Sequence, residues 1–121
     1  MGNIGNIKTL SFWINPKTTT EQIMEGAAND KLIHINSGTL TYPEFDDAYI
    51  DGVNTNTLVA NKWQFVTIVS TTDVDFSAMT IGLNNATYGD MRLGRKRAFT
   101  GQLTLAEHTQ IYTSEKFYYN N

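Results

Sequence analysis

The ten residues Asn61-Lys62-Trp63-Gln64-Phe65-Val66-Thr67-Ile68-Val69-Ser70 constrain this chain more than any other stretch. Read at a period of two, Trp63, Phe65, Thr67 and Val69 share one face. Gln64, Val66 and Ile68 share the other. A strand with apolar residues on both faces belongs in the middle of a sheet and needs cover above and below. Asn61 and Lys62 form the turn before it, and Thr71, Thr72 and Asp73 form a polar exit. The other segments are shorter and arrange themselves around it. The core expected from this arrangement holds Trp63, Phe65, Ile68, Phe12 and Leu103, all on paired strands.

Thr9 to Ile14 alternates, with Leu10, Phe12 and Ile14 one way and Thr9, Ser11 and Trp13 the other, until Asn15-Pro16 ends it. Thr18-Thr19-Thr20 is a polar loop and Gln22 to Glu25 a short strand. Leu32 to Asn36 and Thr39 to Tyr42 flank a tight Ser37-Gly38 turn. Ala48 to Ile50 runs into Asp51-Gly52, a strong hairpin signal, and Val53 to Val59 returns. A loop with Asp73 and Asp75 follows Ser70. Next come a strand over Met79 to Leu83, a turn at Asn84-Asn85-Ala86, and a strand over Met91 to Leu93. The basic run Gly94-Arg95-Lys96-Arg97 reads as a hairpin tip. Gly101 to Tyr112 reads as a last long strand with Leu103, Leu105, Thr109 and Ile111 on one face. Thr113 to Asn121 is a tail, one helical turn or a closing strand. Short strands punctuated by Gly, Asn and Asp indicate an antiparallel sandwich or barrel. The 121 residues suit one domain, 1–121, with one core.

Charged residues make up only 17% of the chain and the net charge is -3, so no global field invites nucleic acid or an anionic membrane. No cysteine is present, which removes disulfides and thiolate zinc sites. No apolar run is long enough to span a membrane, and the first residues lack a secretory signal pattern.

The order of landmarks resembles laminin-G-like, concanavalin A-like domains. Thr9-Leu10-Ser11-Phe12-Trp13-Ile14-Asn15-Pro16 is similar to their S-x-W strand and Tyr49-Ile50-Asp51-Gly52 to their Y-hydrophobic-D-G hairpin. Trp63-Gln64-Phe65-Val66 is similar to their W-x-x-V strand. Ile81-Gly82, Phe99-Thr100-Gly101-Gln102-Leu103 and Ile111-Tyr112 are similar to their ending. Two departures stand out: Thr104 replaces an acidic residue, and the stretch to Ile111 is long. The resemblance implies an all-β concanavalin A-like jelly roll in a shortened form. It also implies a binding role for proteins or carbohydrates, as in accessory modules of secreted enzymes and in phage and other virion surface proteins.

Glycosidases of a related fold carry two glutamates on one strand. Glu44-Phe45-Asp46 begins such a pattern, but Ala48 and Tyr49 stand where the second Glu belongs, so no enzyme is expected and a degenerate glycosidase-fold protein is the third reading. His34 and His108 have no cysteine to join them, and both read as strand-face residues. No cofactor or metal is expected. The loops holding Asp46, Asp47 and Asp51, and Asn84, Asn85 and Tyr88, are the candidate sites for a sugar or calcium. Arg92, Arg95, Lys96 and Arg97 either meet an acidic partner or keep an edge soluble.

The leading expectation is a non-catalytic structural, decoration or adhesion protein of a phage or virus particle. A carbohydrate-binding lectin-like module is the alternative. A sheet short of its first strands leaves an edge open. The expected partners are therefore proteins of a larger assembly, capsid or tail proteins among them, or glycans, and the chain is expected to be a homo-oligomer. Ile4, Ile7, Phe117, Tyr118 and Tyr119 are the expected contact residues. The expected location is a virion or an extracellular surface.

Overall fold

The computed structural model describes residues 6–18, 20–25, 33–42, 45–75, 80–81, 83–84, 87–88 and 91–119. The fold is predominantly β and antiparallel. Its strands are β1 (Asn6–Pro16), β2 (Glu21–Glu25), β3 (Ile33–Asn36), β4 (Thr39–Thr41), β5 (Asp47–Ile50), β6 (Val53–Asn54), β7 (Gln64–Asp75), β8 (Thr80–Ile81), β9 (Leu83–Asn84), β10 (Thr87–Tyr88) and β11 (Met91–Phe99). A helix, α1 (Leu105–Glu115), and a 3-10 turn over Lys116–Tyr119 complete the described chain. One sheet has the order β11-β1-β7-β5-β6, a second the order β4-β3-β2-β8, and β9 pairs with β10.

Turn chemistry sets the hairpins. Ser37 and Gly38 (φ 51° and 84°) join β3 to β4, and Asp51 and Gly52 (φ 52° and 84°) join β5 to β6. Both central residues in the left-handed region match the twist of the flanking strands. Asn61 (φ 61°) turns the chain before β7, and Gln64 ties that loop shut. Its Oε1 accepts from the Val59 N–H, while its Nε2 donates to the carbonyls of Val59 and Lys62. These bonds explain how a Gln is buried at the start of the central strand.

The core lies between the two sheets. Leu10, Phe12 and Ile14 of β1, Val66 and Ile68 of β7, and Ala48 and Ile50 of β5 meet Ile33, Ile35 and Leu40 of the second sheet. Ile7 and Val74 join them, although the parity of Ile7 is wrong for the face that Leu10, Phe12 and Ile14 share. A register shift between Ile7 and Thr9, where β1 crosses Ser70 to Asp73 of β7, reverses the alternation. The expected exit at Thr71, Thr72 and Asp73 is thus a bulge inside one long strand. Its N–H groups are capped by side chains: Asp46 accepts from Thr71 N–H at 2.6 Å and Ser70 Oγ from Thr72 N–H at 3.1 Å.

Two further expectations fail. The segment Gly101–Tyr112 is not a strand: α1 starts at Leu105, capped by Thr104, whose hydroxyl accepts from Glu107 N–H while the Glu107 carboxylate accepts from Thr104 N–H. That capping box overrides the two-residue repeat of Leu103, Leu105, Thr109 and Ile111. The helix turns His108, Tyr112 and Glu115, spaced i, i+4, i+7, toward the sheet. Nor is Gly94–Arg97 a hairpin tip; it lies inside β11, which pairs with β1 from Phe99 to Met91. Trp13 faces a register shift there, opposite Gly94 and Arg95.

Of the five expected core residues, Phe12, Phe65 and Ile68 are fully buried. Trp63 and Leu103 are half-buried and lie outside the strands. Trp63 precedes β7 at the sheet margin, and the Leu103 N–H is held by Thr9 Oγ1 in the approach to α1.

Candidate functional site

The outer face of the five-stranded sheet carries the densest chemistry. Period-two alternation puts Trp13 of β1 and Phe65 of β7 on the side away from the core, and they pair directly, with ring centroids 5.2 Å apart. Alpha-1 and the turn after it cover them. Tyr119 stacks on Trp13 at 4.3 Å and Tyr112 at 5.9 Å, and Phe65 stacks on the His108 imidazole at 4.9 Å. Tyr119 fits because residue 94 is glycine: a Cβ there would lie 2.5 Å from the Tyr119 ring. The Tyr119 hydroxyl accepts from the Arg95 N–H at 2.9 Å, which closes the turn onto β11. Trp63 flanks the other side of Tyr119 at 4.8 Å, with the Arg92 guanidinium over its ring.

Glu115 is buried at the centre of this cover, 5% exposed. Its carboxylate accepts from Trp13 Nε1 at 3.0 Å, from Arg95 at 2.7 Å and from two nitrogens of Arg97. The Arg97 hydrogen bonds, aided by those from Trp13 and Arg95, hold its pKa down at about 2. His108 is fully buried. Its Nε2 accepts from the Gly52 N–H at 3.0 Å, so the ring proton sits on Nδ1, which donates to Thr67 Oγ1 at 2.7 Å. Burial pushes its pKa down to about 4. Both groups are fixed by structural partners and tie α1 to the β5–β6 turn and to β11.

The residues singled out from the sequence separate into three groups. Asp46 and Asp47 stand at the start of β5 and Asp51 beyond its far end in the β5–β6 turn, and the oxygens of all three serve the fold. Asp46 accepts from Thr71 N–H and Oγ1, which lowers its pKa. Asp47 accepts from Ala48 N–H and Asn54, and Asp51 from Phe65 N–H. Asn84 and Tyr88 have their backbones in β9 and β10, in successive rungs of one ladder. Asn85 and Ile4 lie outside the described residues, as does Glu44.

The third group is the expected contact set. Ile7 is 2% exposed and belongs to the core, so it is not at the surface. Tyr119 packs inward. Phe117 and Tyr118 are 80% and 78% exposed on the 3-10 turn. Sequence reasoning missed Glu115 and the role of His108; the T-x-x-E signal at Thr104–Glu107 would have revealed the helix that carries them.

Among the described residues, no group of three or more His, Asp or Glu side chains is placed to hold a metal ion. No helix among them is long and apolar enough to cross a membrane. No protein-family model, curated protein or solved structure matches the chain.

Proposed function

We propose that this chain is a non-catalytic interaction module of a larger assembly and that it grips its partner with Phe117 and Tyr118. The observation that carries the reading is two adjacent aromatic side chains, 80% and 78% exposed, on a turn held rigid by its neighbour. Tyr119 is wedged between Trp13 and Trp63 and bonded to the Arg95 backbone, so the turn holds its shape before any partner arrives. Exposed aromatics on a preformed support are the usual anchors of protein contacts, because little side-chain entropy is lost on binding. The acidic loop is less suited to coordinating calcium or a sugar, since its carboxylates already accept hydrogen bonds from Thr71, Ala48, Asn54 and Phe65.

The pair of antiparallel sheets is compatible with the jelly roll that the sequence resembles, and the assembly we favour is a phage or virus particle. The test is co-sedimentation with particles from the source of the protein. The double variant Phe117→Ser/Tyr118→Ser should bind at least about tenfold more weakly, the loss expected when two anchor rings go. Unchanged binding by that variant would remove the reading. A glycan-array signal abolished by the same variant would replace it with a carbohydrate-binding module.

A further inference from the structure

The five-stranded sheet ends in edges of opposite charge. At one end β11 carries Arg92, Arg95, Lys96 and Arg97, and Lys116 lies in the turn that packs over Gly94. These are five of the chain's nine Lys and Arg residues, accompanied by Glu115. Elsewhere the chain has four such cations against eleven Asp and Glu. Toward the opposite end of the same sheet Asp46 and Asp47 stand at the start of β5, beyond the part that β6 pairs with, and Asp51 sits in the β5–β6 turn. Three strand spacings, from β11 to β5, set the two groups of charge roughly 14 Å apart. That is well beyond the Debye length at physiological salt, so the two edges do not neutralise each other within one molecule.

Apolar surface follows the same division. Val53 of β6 is 57% exposed at the acidic edge, and Phe117 and Tyr118 stand beside the basic one. Among the described residues, β6 and β11 each have a strand neighbour on one side only. We infer that the basic β11 edge of one copy docks on the acidic β5–β6 edge of a second copy of this chain. The inference deepens the interaction reading by naming a partner, and it rests on that reading. Pairing of like edges is rejected, because β11 against β11 sets Arg against Arg. The contact is therefore head to tail. Each added copy leaves one basic and one acidic edge free, so growth ends only by closing a ring or continues as a filament. Beta-6 is two residues long, so charge and the exposed Val53, Phe117 and Tyr118 carry the contact more than ladder hydrogen bonds do.

Sedimentation velocity across a concentration series tests this. At about 20 mM salt the weight-average mass should at least double from the 13.6 kDa monomer, and at about 0.5 M salt it should return to it. The variants Arg92→Glu/Lys96→Glu and Asp46→Lys/Asp47→Lys should each be monomeric. Arg95 and Arg97 are left alone because they hold Glu115. Mixed together, the two variants restore opposite charge at both contacts, intact edge on intact edge and reversed edge on reversed edge, so association at low salt should return. A monomer at every concentration in low salt, or association indifferent to salt, overturns the inference, and neither result needs the variants to fold. Self-association of the Arg92→Glu/Lys96→Glu variant equal to that of the unmodified protein overturns it too. If Phe117→Ser/Tyr118→Ser still loses particle binding while the unmodified protein stays monomeric, the interaction module stands and self-assembly falls.

Discussion

His108 and Glu115 occupy one face of one helix and respond to acid in the same direction, for different reasons. His108 is held neutral: its folded pKa, about 4, lies below the ordinary 6.5 because burial disfavours the imidazolium. A second ring proton would also oppose the Gly52 N–H that Nε2 now accepts. Its stabilisation is therefore complete above pH 6.5 and is lost as the pH falls through 4. Thermal melts by circular dichroism should show a falling Tm over that window, and His108→Gln should flatten it; an equal slope in the variant would place the titration elsewhere. Glu115 contributes in full above the ordinary 4.5, and that contribution is lost progressively as the pH falls from there through about 2. Glu115→Gln at neutral pH should cost about 2–3 kcal/mol, less than a fully buried pair, because the Arg95 side chain is 60% exposed. Ser11 Oγ of β1 is buried without a hydrogen-bond partner among the described residues. Ser11→Ala should leave stability unchanged or raise it by up to about 1 kcal/mol in a chemical-denaturation curve.

The elements divide by how local their instructions are. The hairpins at Ser37-Gly38 and Asp51-Gly52 were legible because two residues suffice to set the backbone, and both positions have positive φ. The faces of β1 and of the first half of β7 were legible because alternation there is unbroken. Beta-7 beyond Ser70 was not, since Thr71, Thr72 and Asp73 look like a loop until Asp46, 25 residues away, satisfies Thr71. Alpha-1 was missed because Leu103, Leu105, Thr109 and Ile111 imitate a strand, whereas its inward residues are His108, Tyr112 and Glu115. Thr104→Ala removes the N-cap and should cost about 1 kcal/mol, with a matching rise in amide exchange over the first turn of α1. Gly94→Ala forces the Tyr119 ring away from Trp13. It should cost about 1–3 kcal/mol and shift the Trp13 fluorescence. An unshifted spectrum would mean that the ring stays put and the strand yields instead.

At the scale of the whole molecule the five-stranded sheet is covered twice, by the second sheet on one face and by α1 with its 3-10 turn on the other. The first cover was implied by Leu10, Phe12, Val66 and Ile68. The second was foreshadowed only by Trp13 and Phe65 facing away from that core, a signal that says cover is needed without saying what supplies it. Phe65→Ala should cost about 3–5 kcal/mol, enough to unfold a domain of ordinary stability. The half-buried Trp63 should cost less when cut to Ala, and Tm shifts of the two variants will order them. The late supply of the second cover has a consequence for synthesis. Trp13 waits for Glu115, 102 positions downstream, and Thr9 for Gly101 and Leu103, 92 and 94 positions downstream. While the chain emerges from the ribosome, β1 therefore carries a tryptophan face without its helical cover until α1 has followed it out. Contacts so distant in sequence form late and expose the nascent chain to aggregation. Chaperone cover of β1, or slow translation ahead of Leu105, would limit the consequences of that exposure.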